Sequence, residues 1–452
     1  MTDTANHYLG GNFAPVHNEV TAFDLQVVGH IPSDLEGRYL RNGPNPISVP
    51  DASTHHWFIG NGMVHGVRLR GGKAEWYRNR WVRTDGVREE LGERPRTDTV
   101  RPPNDVGPNT NVGGWAGTTW AMVEAGAPPV ELTYDLDSVG VNAFYGTLPG
   151  AFSAHPKFDP VTRELHAMCY AWQDWLDHIQ YVVVGADGRV TKTLDIPMNG
   201  MVMLHDMSLT RKYAVIYDLP VTLDPELAMA GRFPFRWNPA YEPRIGLLPR
   251  DGGVDDIVWC AIEPGYGYHP VNAYDAPDGS VVIDICRYER MFDHDLVGPF
   301  GDCLATLDRW TVDPKARRVR TERIDDRTME FPRVAGSVST QPHRYAYVAG
   351  VGEGYAPGPL YKHDVRAGTL TEHDYGRGRG TGEVDFVARP NATSEDDGWL
   401  LSYVFDATRN KSDLVILDAL DLKEVGRVLL PQRVPFGFHG NWVGDRTVAP
   451  SV

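Results

Sequence analysis

Four histidines in this chain sit where a neutral imidazole needs a reason to be. His155 lies in Gly150-Ala-Phe-Ser-Ala-His-Pro-Lys-Phe-Asp159, His205 in Met201-Val-Met-Leu-His-Asp206, His269 in Tyr266-Gly-Tyr-His-Pro-Val-Asn-Ala273, and His439 in Pro435-Phe-Gly-Phe-His-Gly-Asn-Trp442. Each is embedded in an apolar or aromatic run, and a polar ring buried there must find a partner. One such histidine alone reads as a packed core residue. Together they read differently, because His155, His205, His269, Glu330, Glu383 and His439 follow one another at intervals of 50, 64, 61, 53 and 56 residues. Both glutamates are followed by apolar residues, in Glu330-Phe-Pro and Glu383-Val-Asp-Phe-Val. One polar anchor per repeat, all converging on one axis, would gather the imidazoles around a metal ion.

Such convergence needs a repeating scaffold. A four-stranded propeller blade takes ~40 to 50 residues plus loops, and at roughly 60 residues per interval this chain holds about seven of them. The strand signals agree. Trp57 to Tyr77 reads as hairpin strands broken at Gly60 to Gly62 and again at Gly71-Gly72, and further strands are predicted at Gln180–Val184, Tyr213–Tyr217, Ser280–Ile285, Trp399–Phe405 and Asp413–Leu417. Helical periodicity is rare and local, and 47 glycines and 34 prolines scattered through the chain mark many tight turns. No linker invites a cut, so residues 1–452 are expected to form one all-β propeller domain. The charged content of 23% and hydrophobic content of 42% suit a globular protein with a large core.

A net charge of −16 and a pI near 5.4, with no long basic run, exclude a nucleic-acid partner. Cys169, Cys260, Cys286 and Cys303 are far apart and mostly beside apolar residues, which reads as buried thiols in a reducing compartment. The N-terminus Met1-Thr-Asp-Thr-Ala-Asn-His lacks the basic and apolar regions of a signal peptide, and no stretch has 18 uninterrupted apolar residues. A soluble, cytoplasmic protein is therefore expected.

The motifs Gly37-Arg-Tyr-Leu-Arg-Asn-Gly-Pro-Asn45, His56-Trp-Phe-Ile-Gly-Asn-Gly-Met-Val64 and Gly437-Phe-His-Gly-Asn-Trp442, in this order, resemble the carotenoid cleavage oxygenase family over nearly the whole length. These are non-haem iron enzymes that split an alkene of a carotenoid, apocarotenoid or stilbene into two carbonyl compounds. The resemblance implies a seven-bladed β-propeller with Fe2+ on its axis and a dome of loops over one face. It implies that His155, His205, His269 and His439 hold the iron. It also implies that Glu124 in Trp120-Ala-Met-Val-Glu-Ala-Gly126, Glu330 in Met329-Glu-Phe-Pro-Arg333 and Glu383 in Gly382-Glu-Val-Asp-Phe386 support three of the histidines, His155 being the one without a carboxylate. Which glutamate meets which histidine stays open.

Four neutral imidazoles would leave the iron its full charge and open positions for O2. A ring ligating through one nitrogen presents N–H on the other, and a carboxylate accepting it fixes tautomer and orientation. Imidazole alone also suits zinc, copper and nickel, so iron rests on the resemblance. The implied reaction is cleavage of a conjugated C=C bond of a lipophilic small molecule with O2, giving aldehydes or ketones. A carotenoid or apocarotenoid is the expected substrate. Members that cleave 4-hydroxystilbenes share a lysine just before the first supporting glutamate and a tyrosine thirty to forty residues earlier. Here Val123 precedes Glu124, and Asp85-Gly-Val-Arg-Glu-Glu-Leu-Gly92 contains no tyrosine. Cleavage of stilbenoids or phenylpropenes (lignostilbene, resveratrol, isoeugenol) is the alternative. A metal-dependent propeller hydrolase stands behind it, since Ca2+ would call for oxygen ligands.

Other features have plainer readings. His55, His56 and His65 are expected to be structural, and His343, His363 and His373, in polar surroundings, to face solvent. Ser394-Glu-Asp-Asp-Gly398 reads as a solvated turn, and Gly376-Arg-Gly-Arg-Gly380 is no phosphate loop, since no Lys-Ser/Thr follows. Residues 219–249 carry Leu223, Leu227, Met229, Phe233, Phe235 and Trp237 with few strand signals. They are read equally as a dome segment in peripheral contact with a membrane or as packing over the propeller.

Overall fold

Runs of β-branched and aromatic residues between glycine turns build short antiparallel strands. In this computed structural model, which describes residues 6–94, 107–170 and 175–445, the strands form a seven-bladed β-propeller. The ring is closed by exchange of chain ends. Gly440–Gly444 pairs antiparallel with Gly37–Arg41, and Val27–Gly29 pairs with Glu424–Leu429, so two adjacent blades each mix N- and C-terminal chain. Each sheet still ends in edge strands, most of them short.

Three blades are continuous in hydrogen bonding as one 11-stranded sheet. The 16-residue strand Arg318–Arg333 makes the join: its first part pairs with Thr306–Asp313, and its end pairs with Tyr345–Gly352. A single parallel bridge, Ala261 to Arg318, links the preceding blade.

The predicted runs fall on the strands His178–Val184, Tyr213–Asp218, Val281–Tyr288, Gly398–Asp406 and Lys411–Asp418. The Gly71-Gly72 turn joins Met63–Arg70 to Lys73–Trp81, both glycines having positive φ. Upstream, the expectation needs correcting, because residues 57–58 form a turn and residue 59 lies outside any strand. The Asn109 side chain bonds the carbonyls of Phe58 and Gly60, and Trp57 and Phe58 pack edge-on to Phe438, so aromatic packing replaces ladder pairing.

Three further expectations are corrected by partners from neighbouring strands. His343 and His363 are buried rather than solvent-facing, and His343 Nε2 lies 3.2 Å from Asp284 Oδ2. In the acidic turn Asp396 is buried, 2.6 Å from Lys362 Nζ, whose other bonds go to the carbonyls of Ala419 and Leu420. Segment 219–249 has more strand than expected. Val221–Leu223 pairs with Phe235–Trp237 around the short helix Pro225–Met229, capped by Asp224, while Arg244–Pro249 is a blade strand between Tyr213–Asp218 and Val258–Ala261. Phe235 and Trp237 are buried, and Met229 is exposed. Among the described residues no helix is long and apolar enough to cross a membrane. All four cysteines are free, three of them buried. Residues 1–5 of the N-terminal stretch lie outside the described residues.

Candidate metal centre

Each histidine of interest sits at or beside the start of an edge strand of its sheet. His155 precedes Lys157–Asp159, His205 precedes Ser208–Leu209, His269 lies within Tyr266–Asp275, and His439 immediately precedes Gly440–Gly444. The glutamates are placed differently: Glu124 follows the inner strand Thr118–Met122, Glu330 lies near the end of Arg318–Arg333, and Glu383 falls between Arg379–Thr381 and Asp385–Ala388. Each of the seven blades thus contributes one group. All four histidines are buried, and one ring nitrogen from each lies within 4.8 Å of the others. Local backbone serves this convergence. A Cβ on Gly43 would stand 2.8 Å from Gly437 Cα, so two glycines let the chain before His439 lie against residues 42–43, where the Phe438 and His439 N–H groups bond to Asn42 and Thr110 carbonyls.

The structure settles which carboxylate faces which ring. Glu330 Oε2 lies 2.5 Å from His269 Nδ1, and Glu383 Oε1 lies 2.9 Å from His439 Nδ1. Glu124 Oε2 lies 3.0 Å from His205 Nδ1, off the line of a good hydrogen bond. The outer nitrogens are therefore the protonated ones, and the inner nitrogens carry lone pairs. Nε2 of His205 and Nε2 of His269 come within 3.0 Å of each other, and the buried Nε2 of His155 has no hydrogen-bond partner. Converging, otherwise unsatisfied nitrogen lone pairs are the donor set of a divalent transition metal, so these residues fit such an ion.

The electrostatics divide the four rings: at His269 burial is outweighed by the Glu330 carboxylate, which raises that imidazole, whereas two others are lowered. Burial and the neighbouring histidines hold His155 well below the usual imidazole range, and burial brings His439 to about 3. Burial alone would raise Glu124 and Glu383. His205 and Tyr170 outweigh it at Glu124, and Arg333 and His439 outweigh it at Glu383, so both carboxyls lie below the ordinary range.

Several contributors escaped the sequence reading. Arg333 Nη2 donates to Glu383 Oε2 at 2.9 Å and to the Gly440 carbonyl, so it neutralises one carboxylate and ties it to the strand carrying His439. Tyr170 donates its hydroxyl to Glu124 Oε1. Asp206 Oδ2 stands 3.6 Å from His155 Nδ1, beyond hydrogen-bond length, and Lys157 binds the same carboxylate at 2.8 Å. Phe331, at φ 56°, occupies the left-handed region unusual for a bulky residue, beside a register shift between Glu330 and Arg333. That irregularity lets one strand end deliver Glu330 to His269 and Arg333 to Glu383. Arg333 and Asp206 do lie beside the histidine and glutamate motifs, but their types alone give no role. His56 and His65 are buried apart from the centre: His56 stacks on Phe233, and His65 Nδ1 meets the Tyr77 hydroxyl at 2.9 Å. His55 is partly exposed.

A cavity of about 330 Å3 opens onto this centre, reaching Glu124, His205, His269 and His439. Trp57, Phe58, Val123, Phe233, Phe300 and Phe438 supply apolar walls. The cavity thus suits an apolar ligand.

A family model described as retinal pigment epithelial membrane protein matches residues 13–444. The carotenoid cleavage oxygenase of Mycobacterium tuberculosis is 45% identical, over 97% of this chain and 98% of that protein. The crystal structure of cobalt-substituted Synechocystis apocarotenoid oxygenase superposes with a TM-score of 0.84 at 27% identity, covering 95% of this chain and 97% of that one. The lignostilbene dioxygenase of Pseudomonas brassicacearum does so with a TM-score of 0.88 at 25% identity, covering 98% and 99%.

Proposed function

The chain belongs to the carotenoid cleavage oxygenase family, and from that premise we propose that it is an Fe2+-dependent dioxygenase cleaving a conjugated C=C bond of a carotenoid or apocarotenoid. The observation that carries this reading is a cluster of four converging imidazoles, three of which, His205, His269 and His439, line an aromatic-walled cavity. His155, His205, His269 and His439 would hold the ion. Glu330 and Glu383 accept the outer N–H groups of His269 and His439, and Glu124 stands 3.0 Å from the outer nitrogen of His205, an arrangement that favours the tautomer in which the inner nitrogens are donors to metal. Bound iron supplies the place where O2 binds and is activated.

The remaining work belongs to the chain. The aromatic walls position the polyene and exclude water, and buried carboxylates offset the charge of the ion, with Arg333 trimming that of Glu383. Both atoms of O2 enter the two carbonyl products, so no outside reductant is needed.

The likeness to a lignostilbene dioxygenase supports a second reading, stilbenoid cleavage. Val123 weighs against it, because an apolar side chain lines the cavity beside Glu124 where a phenolate would need a cation. The test is aerobic turnover by protein of measured iron content, with an apocarotenal and a hydroxystilbene as substrates. Carbonyl products from the apocarotenal are expected. Products from the stilbene alone would replace the substrate class, and no iron-dependent turnover of either would overturn the reading.

A further inference from the structure

The histidine cluster borders a second cavity of about 350 Å3, touching His155, His269 and His439. Its lining and that of the aromatic cavity share only His269 and His439. The walls differ in chemistry. Lys157, Asp206, Ser208, Asn272, Thr340 and Glu383 give the second cavity charged and hydrogen-bonding groups. It runs from solvent to the centre, since its lining includes the exposed Gly336 and Ala388 as well as the buried histidines. A chain of ionisable groups spans part of that depth. Half-buried Lys157 lies 2.8 Å from Asp206, and Asp206 Oδ2 lies 3.6 Å from His155 Nδ1.

We propose that this polar cavity is the route by which the metal ion is loaded: a hydrated divalent cation enters past Gly336 and Ala388, exchanges water for oxygen at Asp206, and reaches the four imidazoles without crossing the aromatic cavity. The inference rests on the metal-binding reading of the histidines and adds how the ion arrives. A hydrated cation in the aromatic cavity would shed water against Trp57, Phe58 and Phe438 before it reached Glu124 or Glu330, and losing hydration against apolar walls is costly. In the polar cavity the carboxylates of Asp206, Glu383 and Asp385 and the hydroxyls of Ser208 and Thr340 can replace the lost water in steps, with Lys157 and Arg333 as the two opposing cations. Two routes also separate two tasks, since a polyene filling the aromatic cavity leaves the polar one open. Lys157 has a defined part here. Its ammonium holds Asp206 until an arriving cation displaces it, so it sets a charge barrier at the inner reach of the route.

The experiment follows uptake of Co2+ by chelator-stripped full-length protein, read from the visible absorption of Co2+ as it gains nitrogen ligands. Gly336→Trp with Ala388→Trp places two indoles at the exposed mouth, and a Cβ at Gly336 meets nothing within 4 Å, so that side chain starts into open space. The obstructed variant should take up Co2+ and release it to chelator at least ten-fold more slowly, with unchanged final Co2+ content. Lys157→Met should load faster than the parent and decides the matter if the double variant does not fold. Unchanged rates in both variants overturn the route. So does a parent rate that falls when the aromatic cavity is filled with a long-chain polyene. Absence of Co2+ binding by the parent overturns the metal centre itself, which separates the two failures.

Discussion

Nε2 of His205 and Nε2 of His269 face each other across 3.0 Å, while the opposite nitrogen of each ring is turned to its own glutamate. With protons on the outer nitrogens, two lone pairs meet, and a cation between them relieves the repulsion. Adding Fe2+ or Co2+ to metal-free protein should therefore raise Tm. At a hundred-fold excess over Kd the stabilisation is about 2.7 kcal/mol. Scanning calorimetry with and without metal checks it, and an unchanged Tm at saturating metal contradicts it.

Replacing any one of His155, His205, His269 or His439 by Ala should lower bound iron from about one ion per chain and abolish turnover, as four donors to one site require. Metal analysis beside activity reads both losses. A His439→Ala protein with full iron and full rate would sink the assignment.

The three glutamates should not be equivalent. Loss of a carboxylate partner costs ~10- to 100-fold in metal affinity or activity, so Glu124→Gln and Glu330→Gln should show graded defects with the fold kept. Glu383→Gln should also lower the urea midpoint, because it removes the carboxylate hydrogen-bonded to buried Arg333 and leaves Asp385 as its remaining nearby counter-charge. Equal urea midpoints for all three variants would remove the special place of Glu383.

Val123 offers a test of substrate class. Under equal iron loading, kcat/KM should favour an apocarotenal over a hydroxystilbene in the parent, and Val123→Lys should shift the ratio at least ten-fold toward the stilbene by supplying a cation for the phenol oxygen. An unmoved ratio would show that the phenol end lies elsewhere in the cavity.

Stability should fall in mild acid through His166. Burial, aided by the Arg250 guanidinium that donates to its Nε2 at 2.9 Å, lowers it to about 3. The folded value lies below the unfolded one, so the contribution is complete above pH 6.5 and is lost progressively from there toward pH 3. The loss is about 1.4 kcal/mol per pH unit. Urea midpoints from pH 7 to 4.5 should fall less steeply for His166→Gln than for the parent, and parallel curves would contradict the assignment.

Much of the fold was legible because a propeller is quasi-repetitive. Strands announce themselves by local pattern, and a blade fixes the interval at which an axial group recurs, so His155, His205, His269, Glu330, Glu383 and His439 could be selected by type and spacing. Glu124 breaks that interval and entered only through the resemblance, although its blade brings it to the same axis. The burial of His343, His363 and Asp396 was misread because their sequence neighbours are polar, whereas Asp284 and Lys362 come from other strands. What the sequence by itself determined was the inventory: strand-forming runs, turns and the chemical types available near an axis. The tertiary structure alone decided the pairing of Glu124, Glu330 and Glu383 with His205, His269 and His439, the recruitment of Arg333 and Asp206, and the division of the surroundings into aromatic and polar cavities. The physical reason is that hydrogen-bond direction and burial depend on atoms dozens of residues apart in the chain, brought within 3 to 4 Å only when the ring of blades closes.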